Sequence, residues 1–459
     1  MKSITLKLLA YCQAEEWKGY DPYDALNSPI LKYVPFLNFR LPRIALTQFL
    51  KRTPVNFRPL LLIPKTENPK AIALFLMAFL KLRKLGLLEN DELIDLMVQK
   101  LITLRSPVNS ITCNPQPATR NLESTTCNLQ LGTCNVSSPN SQPNNPDNPT
   151  NPTNPSNPSN PSNPSNPTNP YWCWGYSFPW QTRTILVPRG APNLVCTTFV
   201  ANALLDAYEA SLKHQLFLAS SEAHLQPSAC GALCLDMAVN AAEYILNELY
   251  WSEGDSTAGL SYPLPSLRTR VHNANFLGAA LLCRVQKLTG EKKFLGPALK
   301  LARYSAAKQQ DDGSWDYGES STQRWVDNFH TGYNLCALQA ISEYAETSKF
   351  ESHIRRGFEF YGEHFFKEDG APKYFHNRSY PIDIHSVAQS IITLLAFKDL
   401  NENNVSLAHA VLKWAMDNMW NEDGYFNYQV HPFFKNNISY MRWSQAWMLL
   451  ALSTMLKVQ

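Results

Sequence analysis

WDYGESSTQRWVDNFHTGYNLCALQ, Trp315 to Gln339, decides the fold: an acidic, aromatic loop, then Arg324, then a polar start to an apolar helix. The same order of parts recurs. QQDDGSWDYGE leads into it from Gln309. KEDGAPKYF (Lys367 to Phe375), Arg378 and YPIDIHSVAQSIITLL (Tyr380 to Leu395) repeat it, and NEDGYFNYQ (Asn421 to Gln429), Arg442 and WSQAWMLLALSTML (Trp443 to Leu456) repeat it again. The Asp-Gly pairs begin at Asp312, Asp369 and Asp423, 57 and 54 residues apart, and His272, His330, His385 and Trp443 follow at intervals of 58, 55 and 58. A period of this length holds two helices and two loops and marks a helical repeat fold.

Composition narrows the function classes. Hydrophobic residues at 44% supply a large core, and 17% charged residues are too few for a disordered chain. Forty-one basic and 38 acidic residues leave a formal charge of +3, so no global field marks a nucleic-acid binder. MKSITLKLLAYCQAEEW has too brief an apolar stretch for a signal peptide, and no run approaches 18 apolar residues, so no transmembrane segment is expected. The ten cysteines are scattered, several of them (Cys196, Cys283, Cys336) within apolar helical patterns, and read as reduced core thiols of a cytoplasmic protein. Cys230 and Cys234 share a helix face and read as packing; no Cys or His pair has zinc spacing, and no Walker or Rossmann phosphate loop is present. Neither metal nor cofactor is therefore expected.

Helical periodicity alternates in type along the chain. Segments near 71–85, 196–208, 274–288, 331–344, 385–396 and 443–456 are apolar nearly all round and belong inside; those near 91–104, 233–250, 294–309, 349–365 and 405–419 are amphipathic and belong outside. The first helix, from about Ser3 to Glu16, is the unpaired outer one, and the last helix is the unpaired inner one. The reading is all-α: an (α/α)6 toroid of six helical hairpins, closed by the N-terminal helix packing with the last inner helix. Residues 1–459 form a single toroid domain. Residues 107–170, with Asn-Pro-Thr or Asn-Pro-Ser in threes from Asn148, read as a disordered insertion, because proline every third residue forbids helix and starves a sheet of donors. Cutting it out joins the helix ending near Leu104 to another aromatic loop, YWCWGYSFPWQTR. Between the first helix and Pro64, the chain reads as a proline-punctuated segment.

All six decorated loops run from an outer helix to the next inner one, so they gather at one end of the ring with the N-termini of the inner helices. That end carries partial positive charge. Arg40, Arg43, Arg183, Arg189, Arg268, Arg270, Arg324, Arg378 and Arg442 follow or decorate these loops, and guanidinium groups there suit carboxylate or phosphate. Trp172, Trp174, Trp180, Trp315, Tyr317, Tyr374, Tyr425 and Tyr428 offer flat faces for sugar rings. His272, His330 and His385, flanked by Asp327 and Asp383, are candidate catalytic groups. A histidine titrating near neutrality could move the proton at C5 of a uronate, as in lyase or epimerase chemistry, whereas hydrolysis would require the carboxyl pair Asp327 and Asp383. Candidate substrate-binding residues are Arg270, Asn273, Asn275, Trp315, Arg324, Tyr333, Arg378, Tyr380, Arg442 and Trp443. The aspartates just before helices are equally good N-caps, repeated because the fold repeats.

The architecture resembles the six-hairpin glycosidase-like superfamily, whose members include unsaturated glucuronyl hydrolases, polysaccharide lyase barrels and sugar epimerases. HNANFLGAALL, VDNFHTGYNLCALQ, YPIDIHSVAQ and MRWSQAWMLLALS are similar to segments of proteins associated with bacterial exopolysaccharide and capsule synthesis. AAKQQDDGSW resembles the glutamine and tryptophan repeat of terpene cyclases, also α/α toroids, but the DxDD motif is missing. These resemblances imply a carbohydrate-active protein of bacterial polysaccharide metabolism that acts on an anionic, uronate-type oligo- or polysaccharide by lyase, epimerase or hydrolase chemistry. The alternatives are a non-catalytic glycan-binding component of polysaccharide assembly and, less favoured, a terpene-cyclase-like toroid.

Overall fold

The computed structural model describes residues 1–107, 170–218 and 229–458. Met1–Cys113 and Asn169–Gln459 make one compact unit. Apart from its two end residues, the expected insertion lies outside the described residues.

The helices in chain order are α1 (Lys2–Ala14), α2 (Arg40–Arg52), α3 (Pro69–Lys84), α4 (Glu92–Thr103), α5 (Leu194–Leu218), α6 (Ala229–Tyr244), α7 (His272–Thr289), α8 (Leu295–Ala306), α9 (Asn328–Tyr344), α10 (Glu351–His364), α11 (Ile384–Ala396), α12 (Asn403–Met419) and α13 (Ala446–Leu456). Helices α3, α5, α7, α9, α11 and α13 form the inner ring, each packed on the next, and α13 returns to α3. Outside them lie α4, α6, α8, α10 and α12, and α1 packs against α13 and closes the ring. The (α/α)6 toroid is thus present. Its two layers follow from the sequence: α3 buries every residue from Pro69 to Leu76, whereas α10 buries only the stripe Gly357, Phe358, Phe360 and Tyr361. Where α9 meets α11, a Cβ on Gly332 would stand 2.6 Å from Thr393 Oγ1, so only glycine allows this approach.

The repeated Asp-Gly pair proves to be a turn. The backbone N–H of Gln310, Lys367 and Asn421 donates to the carbonyl four residues on, and the glycine N–H donates back to the same three residues. Gly313, Gly370 and Gly424 have φ of 91°, 84° and 94°, the left-handed region open to glycine. Asp312 and Asp369 each accept a backbone N–H two residues on, as Asn421 does in the third copy. Five residues beyond each Asp-Gly aspartate, Tyr317, Tyr374 and Tyr428 use their backbone carbonyls to accept N–H groups from His272, Asn328 and Ile384 at the starts of the inner helices. Each loop is thereby stitched to the inner helix of the preceding hairpin.

Two features go beyond the periodicity. Helix α2 forms where a proline-punctuated segment was expected, because Pro42 falls in its first turn, where the missing N–H has no intrahelical partner to lose. Short antiparallel pairs also decorate the loops: Trp180–Gln181 with Leu186–Val187, Tyr250–Glu253 with Thr257–Leu260, and Ile382–Asp383 with Gln429–Val430, which pairs in turn with Lys435–Asn436. No described helix is long and apolar enough to cross a membrane.

Candidate functional site

The N-terminal ends of α3, α5, α9, α11 and α13 meet in an aromatic cluster. On α9, Asp327 caps the helix by accepting the His330 N–H at 3.0 Å, and its other oxygen lies 2.8 Å from His330 Nδ1 and accepts Trp325 Nε1–H at 3.0 Å. Local folding thus fixes the imidazole by the same carboxylate that starts its helix. The His330 side chain is 21% exposed, and its Nε2 makes no hydrogen bond among the described residues. Tyr317, Phe329 and Tyr333 surround the ring at centroid distances of 4.7, 4.3 and 5.9 Å.

Beside it, His385 Nε2 lies 2.6 Å from the Tyr333 hydroxyl, and the imidazole sits among Phe329, Trp443 and Trp447, each 4.6 Å away. Its Nδ1 is buried without a hydrogen-bond partner among the described residues. Burial first, then the positive charge of Lys70 and Arg442, holds His385 well below the usual histidine range, so it is neutral. Asp383 is fully buried: one oxygen accepts the His385 N–H and Trp443 Nε1–H, the other accepts Gln429 Nε2–H. Burial lifts its carboxyl to about 6 despite these bonds.

Lys70, in the first turn of α3, completes the axis. Its Nζ lies 4.0 Å from the Phe199 centroid, 5.2 Å from Trp447 and 5.4 Å from Tyr333, with no hydrogen bond or ion pair among the described residues. Burial and the nearby Arg442 push the amine well below the ordinary lysine value. A signal for it exists in the sequence: a lysine in the first turn of an apolar helix opposes the helix dipole. Half-buried Tyr23 and Tyr374 pack on Trp443 and Phe329 at 5.6 and 5.5 Å. Burial drives the Tyr317, Tyr333 and Tyr374 phenols well above their usual value, so all three are neutral donors.

The structure therefore brings Asp327, His330, Tyr333, Asp383, His385 and Trp443 together. Other candidates lie elsewhere. His272 is 2% exposed, with Nδ1 at 3.3 Å from Ser305 Oγ, and burial lowers it to about 4. Asn275 bridges Ser305 and the Leu260 N–H, and Asn273 is buried, its Oδ1 without a partner among the described residues. Trp315 is a core residue, its Nε1–H donating to the Ser305 carbonyl and its ring packed on Phe276; Trp174 and Tyr428 are likewise fully buried. Arg442 does reach the axis, but it is locked by two bonds of 2.6 and 2.8 Å to Asp21. Arg270, Arg324, Arg378 and Tyr380 stand exposed on the rim; Arg270 is shared between Glu253 and Glu319 at 3.5 and 3.6 Å, and Lys367 lies over the Tyr380 ring. A shallow recess beside Arg442, lined by Asp21, Thr66, Asn68 and Ser177, encloses essentially no space and falls far below the ~300 Å³ at which ligand sites begin. Among the described residues no group of His, Cys, Asp and Glu side chains is arranged to hold a metal ion.

No family model matches the sequence, and no curated protein matches it significantly. Among solved structures, a cellobiose 2-epimerase from Bacillus thermoamylovorans superposes with a TM-score of 0.51 at 8% identity, covering 85% of this chain and 89% of that one. An unsaturated glucuronyl hydrolase from a Bacillus species gives a TM-score of 0.41 at 13% identity over 58% of this chain and 80% of the other. The chain shares the (α/α)6 toroid of the first; at these identities the likeness is one of fold.

Proposed function

We propose that this protein is a carbohydrate-active enzyme of bacterial polysaccharide metabolism that moves a proton at a ring carbon of an anionic, uronate-type glycan, in an epimerase or lyase reaction. The observation that carries the reading is the Asp327–His330 pair. Its carboxylate holds Nδ1 and leaves Nε2 unbonded on a partly exposed imidazole, the arrangement a general base requires. In the forward step His330 Nε2 takes the proton from the carbon next to the carboxylate, and the electron pair passes into that group. In a lyase it then expels the leaving oxygen; in an epimerase a proton returns to the opposite face. The neutral Tyr333–His385 pair, joined by a 2.6 Å hydrogen bond, is the donor, and the Tyr333 ring packs against His330. The acidic group of the sugar is drawn by the helix N-termini and by the Lys70 amine, which has no carboxylate partner among the described residues and whose protonated form a bound anion would favour.

Hydrolysis is the weaker reading. Asp327 and Asp383 both accept internal donors, and Asp383 is fully buried, so neither presents a free carboxyl to a glycosidic oxygen. A carbocation-forming cyclase is weaker still, because the Lys70 amine and the Arg442–Asp21 pair interrupt the apolar aromatic wall such chemistry needs. The solved neighbour named an epimerase fits the proposed class. Six of the described cysteines, Cys12, Cys196, Cys230, Cys234, Cys283 and Cys336, are free thiols, in keeping with the proposed cytoplasmic location.

The test is deuterium incorporation. Uronate-containing oligosaccharides incubated with the protein in heavy water should acquire deuterium at one ring carbon or an ultraviolet-absorbing double bond, and His330→Ala should lower that rate about 10²- to 10⁴-fold. Glycan binding without either product, in wild type and variant alike, would instead establish the glycan-binding alternative.

A further inference from the structure

The segment between α1 and α3 has an unusual charge pattern for this near-neutral chain. From Ala25 to Thr66 it carries seven lysines and arginines and no aspartate or glutamate. Three are engaged within the molecule: Arg58 pairs with Asp24, Lys65 with Glu15, and Lys51 donates to the Tyr23 hydroxyl. Lys32, Arg40, Arg43 and Arg52 have no ion-pair partner among the described residues.

The same segment exposes large apolar side chains. Ala25, Leu50 and Ile63 form a small core of their own, with Leu46, Phe57 and Leu61 packed around it. Outward from that core stand Phe36, Phe39, Leu41, Phe49, Leu60 and Leu62, with Leu41 70% and Leu60 74% exposed. The Asn436 side chain donates to the Thr53 carbonyl at 2.9 Å, which seats a second apolar projection, the turn containing Phe433 (97% exposed) and Lys435, beside the end of α2. Apolar exposure on this scale is a docking signal.

The charge pattern selects the occupant. A second copy related by a two-fold axis would set these unpaired cations against one another. Protruding phenylalanines and leucines interleaved with cations match the boundary between acyl chains and anionic headgroups. We propose that this face docks on an anionic phospholipid bilayer, the apolar side chains entering the acyl boundary while Lys32, Arg40, Arg43 and Arg52 meet the headgroups. The face adjoins the site: Lys51, on α2, bonds Tyr23, which packs against Trp443. Docking would therefore hold the mouth of the ring near the membrane, where lipid-borne saccharides are presented. The inference is independent of the proton-transfer reading.

Flotation of the full chain with vesicles tests it. Vesicles of equal parts phosphatidylglycerol and phosphatidylcholine should bind the protein at least tenfold more tightly than pure phosphatidylcholine, and added salt should weaken binding. Phe39→Ser with Leu41→Ser, and separately Arg40→Glu with Arg52→Glu, should each reduce it tenfold or more; all four side chains are exposed, and thermal melts check folding. Absence of vesicle binding overturns the proposal, as does binding that neither double variant alters. Light scattering that reveals a dimer dispersed by the serine substitutions would do the same, since the face would then belong to a second copy.

Discussion

The starts of α7 and α9 occupy the same place in successive repeats, and both put a histidine there, yet the two corners do different things. At α7, Val271 offers no capping side chain, and His272 turns to Ser305 on α8, in a buried contact that also involves Asn275 and Trp315. At α9, Asp327 caps the helix and grips His330 Nδ1, so the imidazole stays at the mouth among Tyr317 and Trp325. The cap and the histidine's place in the turn make the difference: Val271 has no polar side chain to offer and His272 follows it directly, whereas Asp327 bonds the histidine three residues on. Repeat position brings a side chain to the ring end; a carboxylate partner and an unbonded nitrogen make it a candidate for chemistry.

Exchanging the roles of the two histidines is the sharpest way to break this comparison. His330→Ala should reduce turnover about 10²- to 10⁴-fold while shifting the urea midpoint little, since it empties a partly exposed position. His272→Ala should do the reverse, lowering stability by roughly 1–3 kcal/mol as Ser305 loses a buried partner, with turnover of the folded protein kept within a few-fold. Steady-state kinetics alongside urea unfolding would settle the matter. Equal effects of both variants on turnover would erase the distinction between the corners.

The contrast also marks how much could be read from the chain. The toroid was legible because inner and outer helices differ in how much of their circumference is apolar, and because the Asp-Gly turns recur at a fixed period. Those turns account for the acidic and aromatic look of the loops: Asp312 and Asp369 shape backbone, and Trp315 fills the space between α7, α8 and α10. Side-chain direction was not legible, since a tryptophan that faces a sugar and one that faces a core follow the same period. Arg442 was placed at the axis by position, but its partner Asp21 lies 421 residues away in sequence. Lys70 and α2 were hidden differently, one inside a strongly apolar helix and the other behind prolines.

Acidity should separate the corners next. His272 is held near 4 against an ordinary 6.5, so its neutral form stabilises the fold fully above 6.5, and that stability is lost as pH falls through 4. A shift of this size corresponds to about 3 kcal/mol. Asp383 acts in the opposite sense: raised from 3.8 to about 6, it contributes stability below 3.8 that is lost as pH rises through 6. The two slopes oppose each other between pH 4 and 6 and flatten the wild-type profile. In His272→Gln one slope is gone, so the wild-type advantage over the variant should shrink by about 3 kcal/mol between pH 7 and pH 4, read from urea unfolding at each pH. A constant difference would show that His272 is solvated in the folded protein.

Lys70 joins the axis rather than either corner. Because its amine is pushed below the ordinary lysine value, the folded state resists protonation, and wild-type stability should rise with pH toward that value. Lys70→Met fills the same volume without the amine and should stabilise the fold at neutral pH by about 1–3 kcal/mol. The same change should raise KM for an anionic saccharide while leaving a neutral analogue unaffected. Thermal melts and paired KM values read the two effects independently; a destabilised variant with unchanged discrimination would return Lys70 to packing.

The smallest effects should come from the rim, and they test whether the mouth extends beyond the α9 corner. Arg324 and Arg378 are exposed, so each alanine change should alter stability by no more than about 0.5 kcal/mol. Their attraction for an anionic glycan acts through solvent and is screened over about 8–10 Å at physiological salt. The double variant Arg324→Ala with Arg378→Ala should therefore raise KM a few-fold at low salt, the difference vanishing at high salt, with kcat unchanged because neither guanidinium touches the His330 cluster. A salt-independent loss in kcat would instead bring these arginines into contact with the reacting sugar and extend the site from the axis to the rim.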